Sequence, residues 1–181
     1  MIKYRLACHP ATPSSLVSQL TATISELTGD SIQLSYQVTG DLNRLLIPKQ
    51  QTPNASDNLW QHTCFEFFIA QAEGENYYEF NFSPSTLWAA YAFDSYRVRR
   101  EWAINEAPSI SINQTQNHYQ LDAIINLADL PLVNKKEACL IGLTAVVETQ
   151  QNEHSYWALK HPETQPNFHH RDGYILYSTL A

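Results

Sequence analysis

Cys64-Phe65-Glu66-Phe67-Phe68-Ile69-Ala70 is the densest apolar run in the chain, and one carboxylate stands inside it. A short run that is apolar on both sides reads as a central strand covered on both faces. Leu87 to Phe93 and Cys139 to Val147 have the same character. Elsewhere the pattern alternates. Ile32, Leu34, Tyr36 and Val38 interleave with Gln33, Ser35, Gln37 and Thr39, and Tyr78, Phe80 and Phe82 interleave with Tyr77, Glu79 and Asn81. Period two marks a half-buried strand. Leu121, Ala123 and Ile125, with Ile110 and Ile112, follow it less cleanly. Turn residues separate the runs at Gly29-Asp30, Gly40-Asp41, Gly74, Ser83-Pro84-Ser85 and Gln150 to Asn152. Between Ser14 and Leu27, the positions Leu16, Leu20, Ile24 and Leu27 have helical spacing. Thr21, Thr23 and Ile24 are β-branched, so the segment is read as strand. The fold expected is all-β: one antiparallel β-sandwich, immunoglobulin-like or jelly-roll-like, over residues 1-181.

A chain of 181 residues can bury roughly 70% of its unfolded surface, enough for a core without staples. Charged residues are only 16%, against 44% hydrophobic, which argues against disorder. The net charge of −7 lacks the positive footprint that nucleic acid or an anionic membrane needs, so neither is expected as a partner. No stretch of about 18 apolar residues marks a membrane helix. No apolar run after Lys3 and Arg5 marks a signal peptide, and a cytoplasmic location is expected. Cys8, Cys64 and Cys139 are far apart and odd in number, which fits three reduced side chains and no metal motif.

Two polar segments, Lys49 to Asn58 and His161 to Gly173, are long loops, where binding residues concentrate on a rigid scaffold. Glu66 shares a strand face with Cys64 and Phe68, and a buried carboxylate demands a partner. That partner is either a cation, Arg97 or Arg171, or a ligand. Glu79 and Asn81 share a face of their own strand. Trp88 and Asp94 share a face if their strand is unbroken, and an indole beside a carboxylate suits a sugar: the ring stacks while the acid accepts from hydroxyls. In the carboxy-terminal loop, His161, His169, Arg171 and Asp172 are polar candidates. Adjacent His169 and His170 point apart on an extended chain, so they are no metal motif by themselves.

The segments Trp60 to Phe68, YYEFNFSPSTLWAAYAFDSYR and SYWALKHPETQPNFHHRDG together resemble the DOMON-like domains related to family 9 carbohydrate-binding modules. The likeness spans most of the chain and is nearest to a stand-alone bacterial branch. It implies a β-sandwich that binds a ligand, with sugar or haem as the ligands of the wider superfamily. Family 9 modules carry W-x-x-D-x-x-E-x-F before and along a strand. Trp60, Glu66 and Phe68 match it, whereas Thr63 stands at the Asp position. Related haem domains use a Met and His pair; Met1 is the chain's single methionine, so no cofactor is expected.

The function expected is a non-catalytic module for a carbohydrate or sugar-like small molecule. Trp60, Trp88 or Trp157 would stack, and Glu66, Asp94, His161, His169, Arg171 and Asp172 would supply hydrogen bonds. The rival is a metal-assisted hydrolase or other enzyme built on Glu66 and the His161–Asp172 loop. A third reading is an interaction module that recruits a protein partner by a sandwich edge.

Overall fold

A computed structural model describes residues 2–26, 30–131 and 137–177. Met1, Leu27 and Gly29 lie outside that set. The first four strands are β1 (Ile2–Arg5), β2 (Ala7–Cys8), β3 (Val17–Glu26) and β4 (Ser31–Gly40). Then come β5 (Cys64–Gln71), β6 (Tyr77–Phe82), β7 (Trp88–Ser95) and β8 (Val98–Arg100). The last five are β9 (Ser109–Gln114), β10 (His118–Asn126), β11 (Cys139–Glu148), β12 (His154–Ala158) and β13 (Ile175–Tyr177). Helix is confined, among the described residues, to three-residue 3-10 turns. None is long or apolar enough to cross a membrane.

The strands form two antiparallel sheets packed as a sandwich. The first has the order β1-β3-β4-β10-β9; the second runs β2-β12-β11-β5-β6-β7-β8, with β13 also pairing β11. The strand reading of Ser14 to Leu27 agrees with β3. Leu20 and Ile24 are four apart, an even number, so one pleated face of β3 buries both as well as a helical stripe would. Leu16 is buried from just before the strand, beyond a register shift at Val17 to Gln19.

Between the sheets, the even-spaced residues Phe65, Phe67 and Ile69 of β5 meet Tyr78, Phe80 and Phe82 of β6 and Tyr36 of β4 in one core. The Tyr36 hydroxyl donates to the Glu66 carbonyl at 2.6 Å, tying the first sheet to the middle of the second. Trp157 belongs to this interior, its indole N–H donating to Ser155 Oγ at 3.0 Å. Cys8, Cys64 and Cys139 are free thiols, as expected of a reduced set.

The pleat turns Cys64, Glu66 and Phe68 to the opposite, outer face. Register then lines up Thr144 of β11, Glu66 of β5 and Asn81 of β6 in one row, and Phe68 with Glu79 in the next. This face is buried too, because chain segments cross it. Tyr174 stacks on Phe68 at 5.6 Å, and the bare backbone of Gly142 makes room for it. A Cβ at Gly142 would stand 2.7 Å from the Tyr174 ring and 3.2 Å from Phe68 Cβ. Gly142→Ala is therefore expected to destabilise the fold by about 1–3 kcal/mol through overpacking. Urea denaturation checks this; an unchanged midpoint would mean that the ring shifts without loss.

Candidate functional site

Segments on three sides stop short of meeting over the middle of the outer face. They leave a cleft of about 710 Å³. Its floor is the sheet itself, with Glu66 on β5, Glu79 on β6 and Val146 on β11. One wall is the segment before β5. There Asn58 takes a left-handed φ of 63°, a conformation Asn tolerates, and starts the 3-10 turn Leu59–Gln61. That turn buries Leu59 and lifts Trp60 to 49% exposure beside the cleft. His62 and Thr63 anchor the turn. Thr63 Oγ1 donates to Leu46 O at 2.7 Å, and His62 Nδ1 lies 2.8 Å from Glu148 Oε2.

The second wall comes from β7 and its hairpin to β8. Tyr91 donates to Asp57 Oδ1 at 2.8 Å, and the Arg99 guanidinium lies over the Tyr91 ring at 3.6 Å. Arg99 is also 3.5 Å from Asp57. One cation, one carboxylate and one phenol thus hold each other at the rim. The third wall is the carboxy-terminal loop, which brings Pro166, Phe168 and His169 against Phe93 and Tyr156.

Two carboxyls sit on the floor, 3% and 5% exposed. Thr144 Oγ1 donates to Glu66 Oε2 at 3.2 Å, and Asn81 Nδ2 donates to Glu79 Oε1 at 2.7 Å. Burial pushes the Glu66 carboxyl well above the usual range and the charge of Glu79 pushes the same way, against the Thr144 hydrogen bond. Burial raises Glu79 to about 7, although Asn81, Arg99 and Arg97 favour its ionised form. Cys64, beneath them, is held as a thiol by burial and both carboxylates, which excludes a thiolate nucleophile there.

His169 faces the pair. The Arg97 backbone N–H donates to the Tyr77 hydroxyl at 3.1 Å. That hydroxyl also shares a hydrogen bond of 2.8 Å with His169 Nδ1. The other ring nitrogen, Nε2, lies 3.7 Å from Glu79 Oε2. Burial, with Arg97 adding repulsion, lowers His169 to about 4, so it is neutral at physiological pH.

Of the nine residues expected at the site, Trp60, Glu66 and His169 meet at this cleft. Six are elsewhere. Trp157 fills the core. Trp88 has the opposite parity to Tyr91 and lines, with Trp102 and Ile104, a separate cavity of about 330 Å³. Asp94 does not continue the Trp88 face, because the register shifts between Phe93 and Ser95; it lies exposed, 3.8 Å from Arg100 Nε. His161 turns towards the amino terminus, its Nε2 2.8 Å from Ala7 O and its ring edge-on to His9. Arg171 donates to Gln71 O at 2.8 Å and so fastens the loop to the sheet. Asp172 is solvent-exposed. Neither arginine named as a counterion for Glu66 is in salt-bridge range of it among the described residues; its neighbours are Thr144 and Glu79.

Tyr91 and Tyr156 escape sequence reading as site residues, and Glu79 with Asn81 reads as serving either a ligand or a solvated face. Glu79 shares its face with Asn81, a visible signal, but only the β5–β6 register places it diagonally beside Glu66. Leu87 to Phe93 is apolar at both parities, so nothing in it favours Tyr91 over Trp88.

No protein-family model matches the chain, and no curated protein matches it. Among solved structures, the chain is similar to a Bacteroides uniformis protein named a "putative carbohydrate-binding protein". The TM-score is 0.68 at 16% identity, over 98% of this chain and 86% of that one. At that identity the likeness is one of fold.

The carboxyl pair makes stability depend on pH. Both acids bind protons more tightly folded than unfolded, whereas His169 binds its proton less tightly. Above about pH 6.5 the histidine is largely neutral in both states, so of these three groups the carboxyls are the ones that still act. Their contribution is complete below the ordinary carboxylate range and is lost as pH rises, for Glu79 through about 7. Between pH 6.5 and 8.5 the protein should lose on the order of 1–3 kcal/mol relative to a Glu66→Gln/Glu79→Gln double variant. Denaturation across that range checks it; parallel profiles would mean that the pair titrates as if in water.

Proposed function

We propose that this chain is a non-catalytic binding module whose cleft takes a saccharide or a sugar-like small molecule. The observation that carries the proposal is the division of labour inside one open cleft. Trp60, Tyr91, Phe93, Tyr156 and Phe168 supply ring surface, and Glu66, Glu79 and His169 supply polar groups beneath. A sugar ring has the matching split, with apolar C–H faces and an equator of hydroxyls. The name of the structural neighbour agrees with this reading, although their shared fold does not assign the ligand.

Geometry favours binding over the rival chemistry. Glu66 and Glu79 rise side by side from neighbouring strands of one floor. Glycoside hydrolysis by a carboxyl pair has the two acids flank the scissile bond. Of the carboxy-terminal loop that the rival reading uses, His169 reaches the cleft, whereas His161 and Asp172 lie outside it. Among the described residues, no group of three or more His, Cys, Asp and Glu side chains is arranged to hold a metal ion.

Calorimetric titration with monosaccharides and short oligosaccharides tests the proposal. Saturable binding is expected, with a change in indole fluorescence on ligand addition. Trp60→Ala should weaken it roughly tenfold by removing the exposed stacking surface. Absence of binding across neutral, acidic and amino sugars overturns the reading.

A further inference from the structure

The carboxyl pair is more than a generic sugar contact. Two acids on adjacent strands are almost fully withdrawn from solvent, yet both line the cleft. Like charges on adjoining strands repel, and burial multiplies the penalty. Such a pair is relieved either by holding protons, as the raised carboxyls do here, or by a counterion. Here no Arg or Lys is in salt-bridge range among the described residues. The nearest basic group, His169 Nε2, is 3.7 Å from Glu79, and Arg97 and Arg99 are spent at the rim on Asn167 and on Asp57 with Tyr91. Donors reach one oxygen of each acid: Thr144 on Glu66 Oε2 and Asn81 on Glu79 Oε1. Glu66 Oε1 has no hydrogen-bond donor from the described residues, and Glu79 Oε2 has only the distant histidine.

Resting on the saccharide reading above, we infer that the missing counterion belongs to the ligand: the cleft selects an amino sugar, whose protonated primary amine sits between Glu66 and Glu79. An ammonium carries three N–H donors in a compact head, enough to give one to each spare carboxylate oxygen. Charge-assisted bonds of that kind are about twice as strong as neutral ones. The aromatic walls suit the same guest, because ring faces attract a cation as well as stacking on C–H surface. A neutral hexose placed there brings no positive charge, and the pair is left to hold its protons. An N-acetylated sugar has lost the charge and adds bulk against the floor.

The ionisable surroundings are consistent with a site that receives a cation and does not already contain one. From β5 and β6 the pair faces Cys64 and Tyr77, and from β7 and β12 it faces Tyr91 and Tyr156. The carboxy-terminal segment adds neutral His169 and the Tyr174 phenol, with Arg171 beyond it. Arg97 and Arg99 of the hairpin line the same cleft and act on Glu79 from beyond salt-bridge range.

Competing titrations at pH 7 test this. Glucosamine, galactosamine and mannosamine are each compared with the parent hexose and the N-acetyl derivative. At least one amine is expected to bind about tenfold or more tightly than both of its neutral counterparts. Within Glu66→Gln and within Glu79→Gln, the ratio of amine affinity to parent-hexose affinity should fall to about one. The wild-type comparison stands even if a variant does not fold. Equal or tighter binding of a neutral hexose or N-acetyl sugar overturns the amine inference and leaves the saccharide reading intact. Binding by no member of the panel overturns both.

Discussion

The pleat of β5 is the constraint from which both core and cleft follow. A strand cannot bury Phe65, Phe67 and Ile69 on one side without presenting Cys64, Glu66 and Phe68 on the other. Each inward side chain contributes about 1.5–3 kcal/mol through removal of apolar surface from water. The core therefore decides which way β5 faces. Glu66 takes the outer face as a consequence, and its isolation from water follows from what lies over it. Burying that acid costs several kcal/mol less any compensation from partners, a cost the summed inner packing can carry.

What lies over the face is loop and short strand, not a third sheet. The amino-terminal wall is held through Thr63 and His62, and the carboxy-terminal wall through Arg171, Tyr174 and the Tyr77–His169 hydrogen bond. These fasteners share little with the apolar core. They are side-chain-to-backbone and side-chain-to-side-chain hydrogen bonds, each individually modest in net contribution. The scaffold and the cleft rim thus have separate physical origins. Changes in loop chemistry would reshape the rim while leaving the sandwich in place.

Much of the architecture was legible before any coordinates. Alternation at Ile32 to Val38 and Tyr77 to Phe82 declares strands because side chains repeat every two residues whatever the tertiary context. The two polar stretches proved to be the segments that flank the cleft, and Glu66 stood out as an acid in an apolar run. Trp88 and Trp157 show where such reading stops. An indole is equally compatible with a core and a binding wall, and parity within an isolated strand does not say which face is the interior. His161 and Asp172 failed to join the cleft for a related reason: a loop free of periodicity gives no direction to its side chains.

By itself, then, the order of residues determined the strand-rich class, the antiparallel sandwich and the anomalous carboxylate, since each depends on local periodicity and on the aversion of apolar groups to water. Tertiary structure alone decided that Glu79 stands beside Glu66, that Trp60 is the one of four indoles at the cleft, and that His169 is neutral there. Those facts depend on inter-strand register and on long-range closure of loops over a sheet face. Neither is encoded in the spacing of neighbours along the chain.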